Sequence, residues 1–131
     1  MRTMQKYVWV LLLSFQLGIV TASATLLNIP QKNQEETNWC WAACSQAILE
    51  YYETVKTQTE IAEYGTGGAN EQNLLWGSSS NPGVREILQH FGKIYSVGSE
   101  GYPEASDVQA EMDAGRPIVV NWEWNTTGGH M

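Results

Sequence analysis

The sequence predicts an α+β fold. Segments with helical spacing and capping residues fill the first part of the chain, β-branched and aromatic runs follow them, and the helix–strand alternation that builds a doubly wound sheet is missing. No internal repeat, heptad run or low-complexity tract interrupts this order. A hydrophobic fraction of 43% with six tryptophans suits a packed core, and 131 residues make one domain or part of one.

Residues 1–24 stand apart from the fold. Arg2 and Lys6 precede an apolar run from Tyr7 to Val20, and Ala22 and Ala24 then supply the small residues of a signal-peptide cleavage site. The run is short for a membrane span. The expectation is export, to the periplasm or outside the cell, with residues 25–131 as the folded domain. Residues 1–24 carry two cations and no acid, so their removal shifts the formal net charge from −7 to −9. An acidic surface repels phosphate backbones and anionic lipid headgroups, so neither nucleic acid nor membrane is an expected partner of the processed chain.

From Thr25 to Gln34 the chain reads as an extended lead-in, with Pro30 blocking a helix. A helix is predicted from about Asn38 to Tyr52, capped by Thr37 or Asn38, with Ala43, Ala47, Ile48 and Tyr51 at helical spacing. A second covers Thr57 to Gly65, capped by Thr57 or Thr59 and stopped by the glycine. Residues 66–83, rich in Gly, Ser and Asn, read as a long loop. A third helix spans Pro82 to Phe91, with Asn81 as cap, Gly92 as stop and an apolar stripe of Val84, Ile87, Leu88 and Phe91. Lys93 to Gly98 is a candidate strand. Glu104 to Gly115 is a fourth helix with Ser106 as cap, and Arg116 to Trp124 is the clearest strand. A turn and the start of a second strand follow.

The chemistry centres on "NWCWAAC". Cys40 and Cys44 are the two cysteines, and i,i+4 spacing on a helix seldom suits a disulfide. Without nearby His or Asp partners they make a poor zinc site, so neither a metal nor another cofactor is expected. Cys40 falls in the first turn of its helix, where unpaired N–H groups stabilise a thiolate. A Cys nucleophile also needs an imidazole. His90 sits on a helix whose other face is apolar and reads as a surface or structural residue. His130 follows a strand and a glycine turn, which brings an imidazole over a cleft at little steric cost. The backbone N–H of Cys40 is one candidate oxyanion donor, and the side-chain amide of Gln34 is another.

The pattern of Gln34, five intervening residues and then Cys40, Trp41, Ala42 and Ala43, with Gly128, Gly129 and His130 far downstream, resembles the papain-like cysteine peptidases. The likeness is to their bacterial secreted and effector-type branch, with its NWCWAA signature, related to bacteriocin-processing peptidases. It runs from about Pro30 to the C-terminus and includes "GRPIVV". The resemblance implies a papain-like fold, with a helical N-terminal half and an antiparallel β half. It also implies thiol-dependent cleavage of peptide or protein substrates through a thioester acyl-enzyme. Cys40 would be the nucleophile, His130 the base and acid, and Gln34 the oxyanion-hole residue, with Trp39, Gly128 and Gly129 as cleft candidates.

Family members place an Asn or Asp after the histidine. Asn125 and Asp113 precede it, and the sequence stops at Met131. The expectation is a β half incomplete at the C-terminus and little turnover by the 131-residue chain itself. The alternatives are an inactive binding module on the same fold and a Cys-His acyltransferase or amidase.

Overall fold

The first helix, α1 (Cys40–Tyr51), carries the core. The computed structural model describes residues 25–123 and 129–131. The expected signal peptide, and Trp124, Asn125 and Gly128, lie outside them. Trp41, Ser45, Ile48 and Leu49 recur at i, i+4, i+7 and i+8, so one face of α1 is buried, together with Ala42 and Ala43. The second helix, α2 (Gln58–Thr66), adds Ile61 and Ala62, and the third, α3 (Val84–Gly92), adds Val84, Ile87 and Leu88. These side chains and Trp39 form one hydrophobic core. The buried face of α1 is rotated from the predicted stripe: Ala47 and Tyr51 are half-buried, and Trp41 points to the centre. Burial of the larger aromatic surface decides the rotation.

Helix ends follow local chemistry, with some substitutions of the expected residue. Thr57 caps α2 through a reciprocal pair: its hydroxyl accepts from the Glu60 N–H, and the Glu60 carboxylate accepts from the Thr57 N–H. The left-handed residue closing α2 is Gly67 (φ 66°), two residues beyond the expected stop. Gly65 lies inside the helix because Trp41 packs on it; a Cβ there would stand 2.9 Å from two indole carbons. At α3 the N-cap is Gly83 rather than Asn81, and the Glu86 carboxylate accepts from the N–H groups of Gly83 and Gly77.

The expected strand from Lys93 to Gly98 does not form. Lys93 turns left-handed (φ 56°) to end α3, and the Ile94 N–H closes back on the Leu88 carbonyl. The fourth helix, α4 (Ala105–Asp113), is capped at Glu104 rather than Ser106 and buries no residue. Tyr51 Oη donates to the Gly115 carbonyl at 2.9 Å, which ties the end of α4 to α1. Of the long predicted strand, only β1 (Trp122–Glu123) joins a ladder among the described residues. It pairs antiparallel with β2 (Gly129–His130), Trp122 opposite His130 and Glu123 opposite Gly129. The fold is thus α+β, with four helices and one small antiparallel sheet among the described residues.

Two outcomes test these contacts. Gly65→Ala gains helix propensity of about 1 kcal/mol. Its methyl group, however, overpacks against Trp41, at a cost of about 1–3 kcal/mol. Chemical denaturation should show a net loss, and a gain would contradict the close approach. The Glu60 carboxyl is held down at about 2 from 4.5, first by the Thr57 N–H and then by Lys56 and the Thr57 hydroxyl. A depressed folded-state pKa contributes stability above about pH 4.5 that fades as pH falls towards 2. Glu60→Gln should flatten that acid limb in melts taken across this window.

Candidate active site

Cys40 is the first residue of α1. The N-cap is Trp39 rather than Thr37 or Asn38, and no side chain caps this helix end. The first-turn N–H groups, which lack intrahelical partners, are therefore left with their partial positive charge beside the thiol. Asn38 is drawn off elsewhere. Its amide N–H donates to Asn70 Oδ1 and its side-chain amide donates to the Asn70 carbonyl, both at 3.0 Å.

The two tryptophans beside Cys40 extend the same attachment. Trp39 is buried in the core, with its indole N–H donating to the Ala69 carbonyl at 3.1 Å. Trp41 donates to the Glu71 carbonyl at 3.0 Å. Residues 69–71 are thus fastened to the start of α1. Asn73 Nδ2 donates to the Pro82 carbonyl at 2.8 Å, and the Leu74 carbonyl accepts from Val84 N–H, which fastens the next residues to the start of α3.

The segment so fixed walls a cleft of about 170 Å³. Cys40, Gln72, Asn73 and Leu74 line one side, and Asn121, Glu123, Gly129 and Met131 line the other. Gly129 is confined there, because a Cβ would stand 2.8 Å from the Trp122 carbonyl oxygen and 3.0 Å from Asn121 Oδ1. The structure therefore brings Cys40 and Gly129 together. Trp39 is in the core and not on the cleft wall.

His130 is placed differently. Side chains alternate along a strand. Gly129 and Met131 border the cleft, while His130 is exposed and paired with Trp122 on the outer face. Gln34 is exposed, but its side chain is fixed: Nε2 donates to the carbonyls of Glu36 at 3.1 Å and Thr37 at 2.7 Å. That turn runs directly into Cys40. His90, exposed on α3, stacks on Tyr64 at 4.0 Å and meets Phe91 edge-on. Asp113 accepts from Gln109 at 2.8 Å and from Thr25, away from the cleft lining. No group of three or more potential metal ligands occurs among the described residues.

Asn121, Gln72 and Asn73 escaped the reading of the sequence. For Asn121 a signal exists. Pro117, Val119 and Asn121 are half-buried while Ile118, Val120 and Trp122 are exposed, so the alternation puts a polar residue on the inward register. Nothing local marks Gln72 or Asn73, whose positions depend on the Trp39 and Trp41 contacts.

The two thiols differ. Burial pushes the Cys44 thiol above its ordinary range, and a charge on Cys40 raises it further. Iodoacetamide should therefore label Cys40 well before Cys44, by roughly tenfold in rate, since the thiolate is the nucleophile. Peptide mapping of the singly labelled protein checks this, and equal labelling would contradict it.

Comparison with protein-family models matches residues 26–131 to the Peptidase_C39 like family. Among curated proteins and among solved structures, no match is found.

Proposed function

Because the chain belongs to the Peptidase_C39 like family, we propose that it is a papain-like cysteine peptidase with Cys40 as its nucleophile. The observation that carries this reading is the position of Cys40. It opens an uncapped helix and lines a cleft whose far wall is the sheet of β1 and β2.

In the proposed reaction the Cys40 thiolate attacks the scissile carbonyl of a peptide or protein substrate. The Cys40 N–H and the Gln34 amide stabilise the oxyanion. Of the two contacts of Gln34 Nε2, the longer one to Glu36 is the cheaper to redirect towards substrate. The tetrahedral intermediate collapses to a thioester as His130 protonates the leaving amine. His130 then takes a proton from water, which hydrolyses the thioester and frees the thiol. For this the imidazole must enter the cleft. A one-residue slip of β2 against β1 exchanges the faces of every side chain in the strand. A ladder of two residues opposes such a slip only weakly.

The outward placement of His130 favours a second reading, an inactive binding module on the same fold. We place the enzyme outside the cytoplasm, with residues 1–24 removed on export, and its acidity keeps it off nucleic acid and anionic membranes.

Both readings meet one assay. The full-length protein recovered from outside the cell should begin at Thr25 by intact mass and should hydrolyse fluorogenic peptides. Cys40→Ala should lower turnover by about a thousandfold or more. Unchanged turnover in that variant would overturn the peptidase reading. Absence of cleavage, together with ordinary thiol reactivity at Cys40, would establish the binding module.

A further inference from the structure

Gln58 is 1% exposed, the most deeply buried uncharged amide of the core. A buried carboxamide is costly unless its hydrogen bonds are made. Both of its N–H donors and its oxygen are in fact engaged. Nε2 donates to the Asn33 carbonyl at 2.7 Å and to Gln46 Oε1 at 3.1 Å, and Oε1 accepts from the Glu35 N–H at 3.0 Å.

The two main-chain partners lie on either side of Gln34. The Gln58 carboxamide acts there as a strand neighbour would, giving one donor and one acceptor to the backbone of an otherwise unpaired segment. Gln46, the third partner, lies on α1, the helix that opens with Cys40, and it donates to the Lys56 carbonyl at 2.9 Å. The backbone at Gln34 is thus referenced, through two carboxamides, to the same rigid helix that holds the nucleophile. The Gln34 side chain itself is held on the Glu36–Thr37 turn ahead of Cys40.

We propose that Gln58 is a positioning residue for the oxyanion donor, fixing the reach of the Gln34 amide relative to Cys40. The proposal rests on the peptidase reading above. It gives a physical reason for a glutamine where a leucine would pack: an oxyanion donor works best when its backbone is already held, so that only the side-chain amide has to turn.

The test separates oxyanion binding from thiol chemistry and from stability. A peptide aldehyde forms a thiohemiacetal with Cys40: the S–C bond forms, the carbonyl π bond breaks, the thiol's proton passes to the oxygen, and that oxygen takes the oxyanion position. Iodoacetamide reports the thiolate alone. Gln34→Ala should weaken aldehyde binding by about a hundredfold. Gln58→Met, similar in volume but without hydrogen bonds, should weaken it by about tenfold. It should leave the iodoacetamide rate at Cys40 within about twofold of the parent. In the double variant the effect of Gln58→Met should disappear, because the donor it positions is gone. Gln58→Glu should regain affinity relative to the parent as pH falls, since the carboxylic acid, unlike the carboxylate, can donate to the Asn33 carbonyl.

Unchanged aldehyde affinity in Gln58→Met, or a loss that persists fully in the Gln34→Ala background, overturns the positioning role. The same holds if Gln58→Met fails to fold and Gln58→Glu shows no recovery at low pH. Failure of the underlying reading looks different: either Gln34→Ala leaves aldehyde affinity intact, or the parent binds no aldehyde at Cys40. Either of these results overturns both proposals.

Discussion

The structure depends on one attachment, between residues 38–41 at the start of α1 and residues 69–71 after α2. Two indoles are buried, and each buried indole N–H needs an acceptor. The carbonyls of Ala69 and Glu71 supply them, and Asn38 and Asn70 join the same seam through two further bonds. The acceptors are available because Gly67 and Gly68 turn the chain out of α2 with positive φ, leaving the following carbonyls without helical partners. Removing one indole would forfeit packing and one bond across the seam, although the Ala69 carbonyl would keep the Thr66 hydroxyl and the Glu71 N–H as donors. The residues that fix this seam are the neighbours of Cys40, so folding and cleft formation share the same contacts.

The three core helices differ at their N-termini in a way that follows from this. α2 and α3 each have a first-turn carboxylate, Glu60 and Glu86, that accepts from the N–H of its N-cap residue, Thr57 and Gly83, with Gly77 N–H a further donor to Glu86. For Glu86, burial opposes ionisation, but the Arg85 side chain and the N–H groups of Gly77 and Gly83 together hold its carboxyl below the ordinary range. α1 has no such acid in its first turn. An acid there would stabilise the helix by some tenths of a kcal/mol. It would also repel the thiolate and any developing oxyanion. The missing cap is a local cost in stability at the point where, on the proposed reading, Cys40 would gain from positive potential.

Much of this was legible from residue order. Thr57 and Glu60 announce a capping box, and Val84, Ile87, Leu88 and Phe91 announce a helix stripe, because helix signals are local. Cys40 in the first turn of α1 survived a wrong choice of cap residue, since moving the cap from Asn38 to Trp39 shifts the thiol by one position within the same turn. Strands were harder. Lys93 to Gly98 has the composition of a strand, but Lys93 and Ile94 are taken up in ending α3, and Tyr95 and Val97 remain exposed. Composition cannot report whether a partner strand is available.

By itself, the sequence determined the helices, the place of Cys40 at the start of one and the order Gln34, Cys40, His130. These follow from caps, periodicity and spacing that act within a few residues. Only the tertiary structure decided which groups meet. Contacts 23 to 34 residues apart set Gln58 beside Gln34 and the tryptophans on the 69–71 turn, and they made Gln72 to Leu74 the wall facing Gly129. The face taken by His130 was decided in the same way, because strand register depends on the pairing of β1 with β2 and not on the histidine's own neighbours.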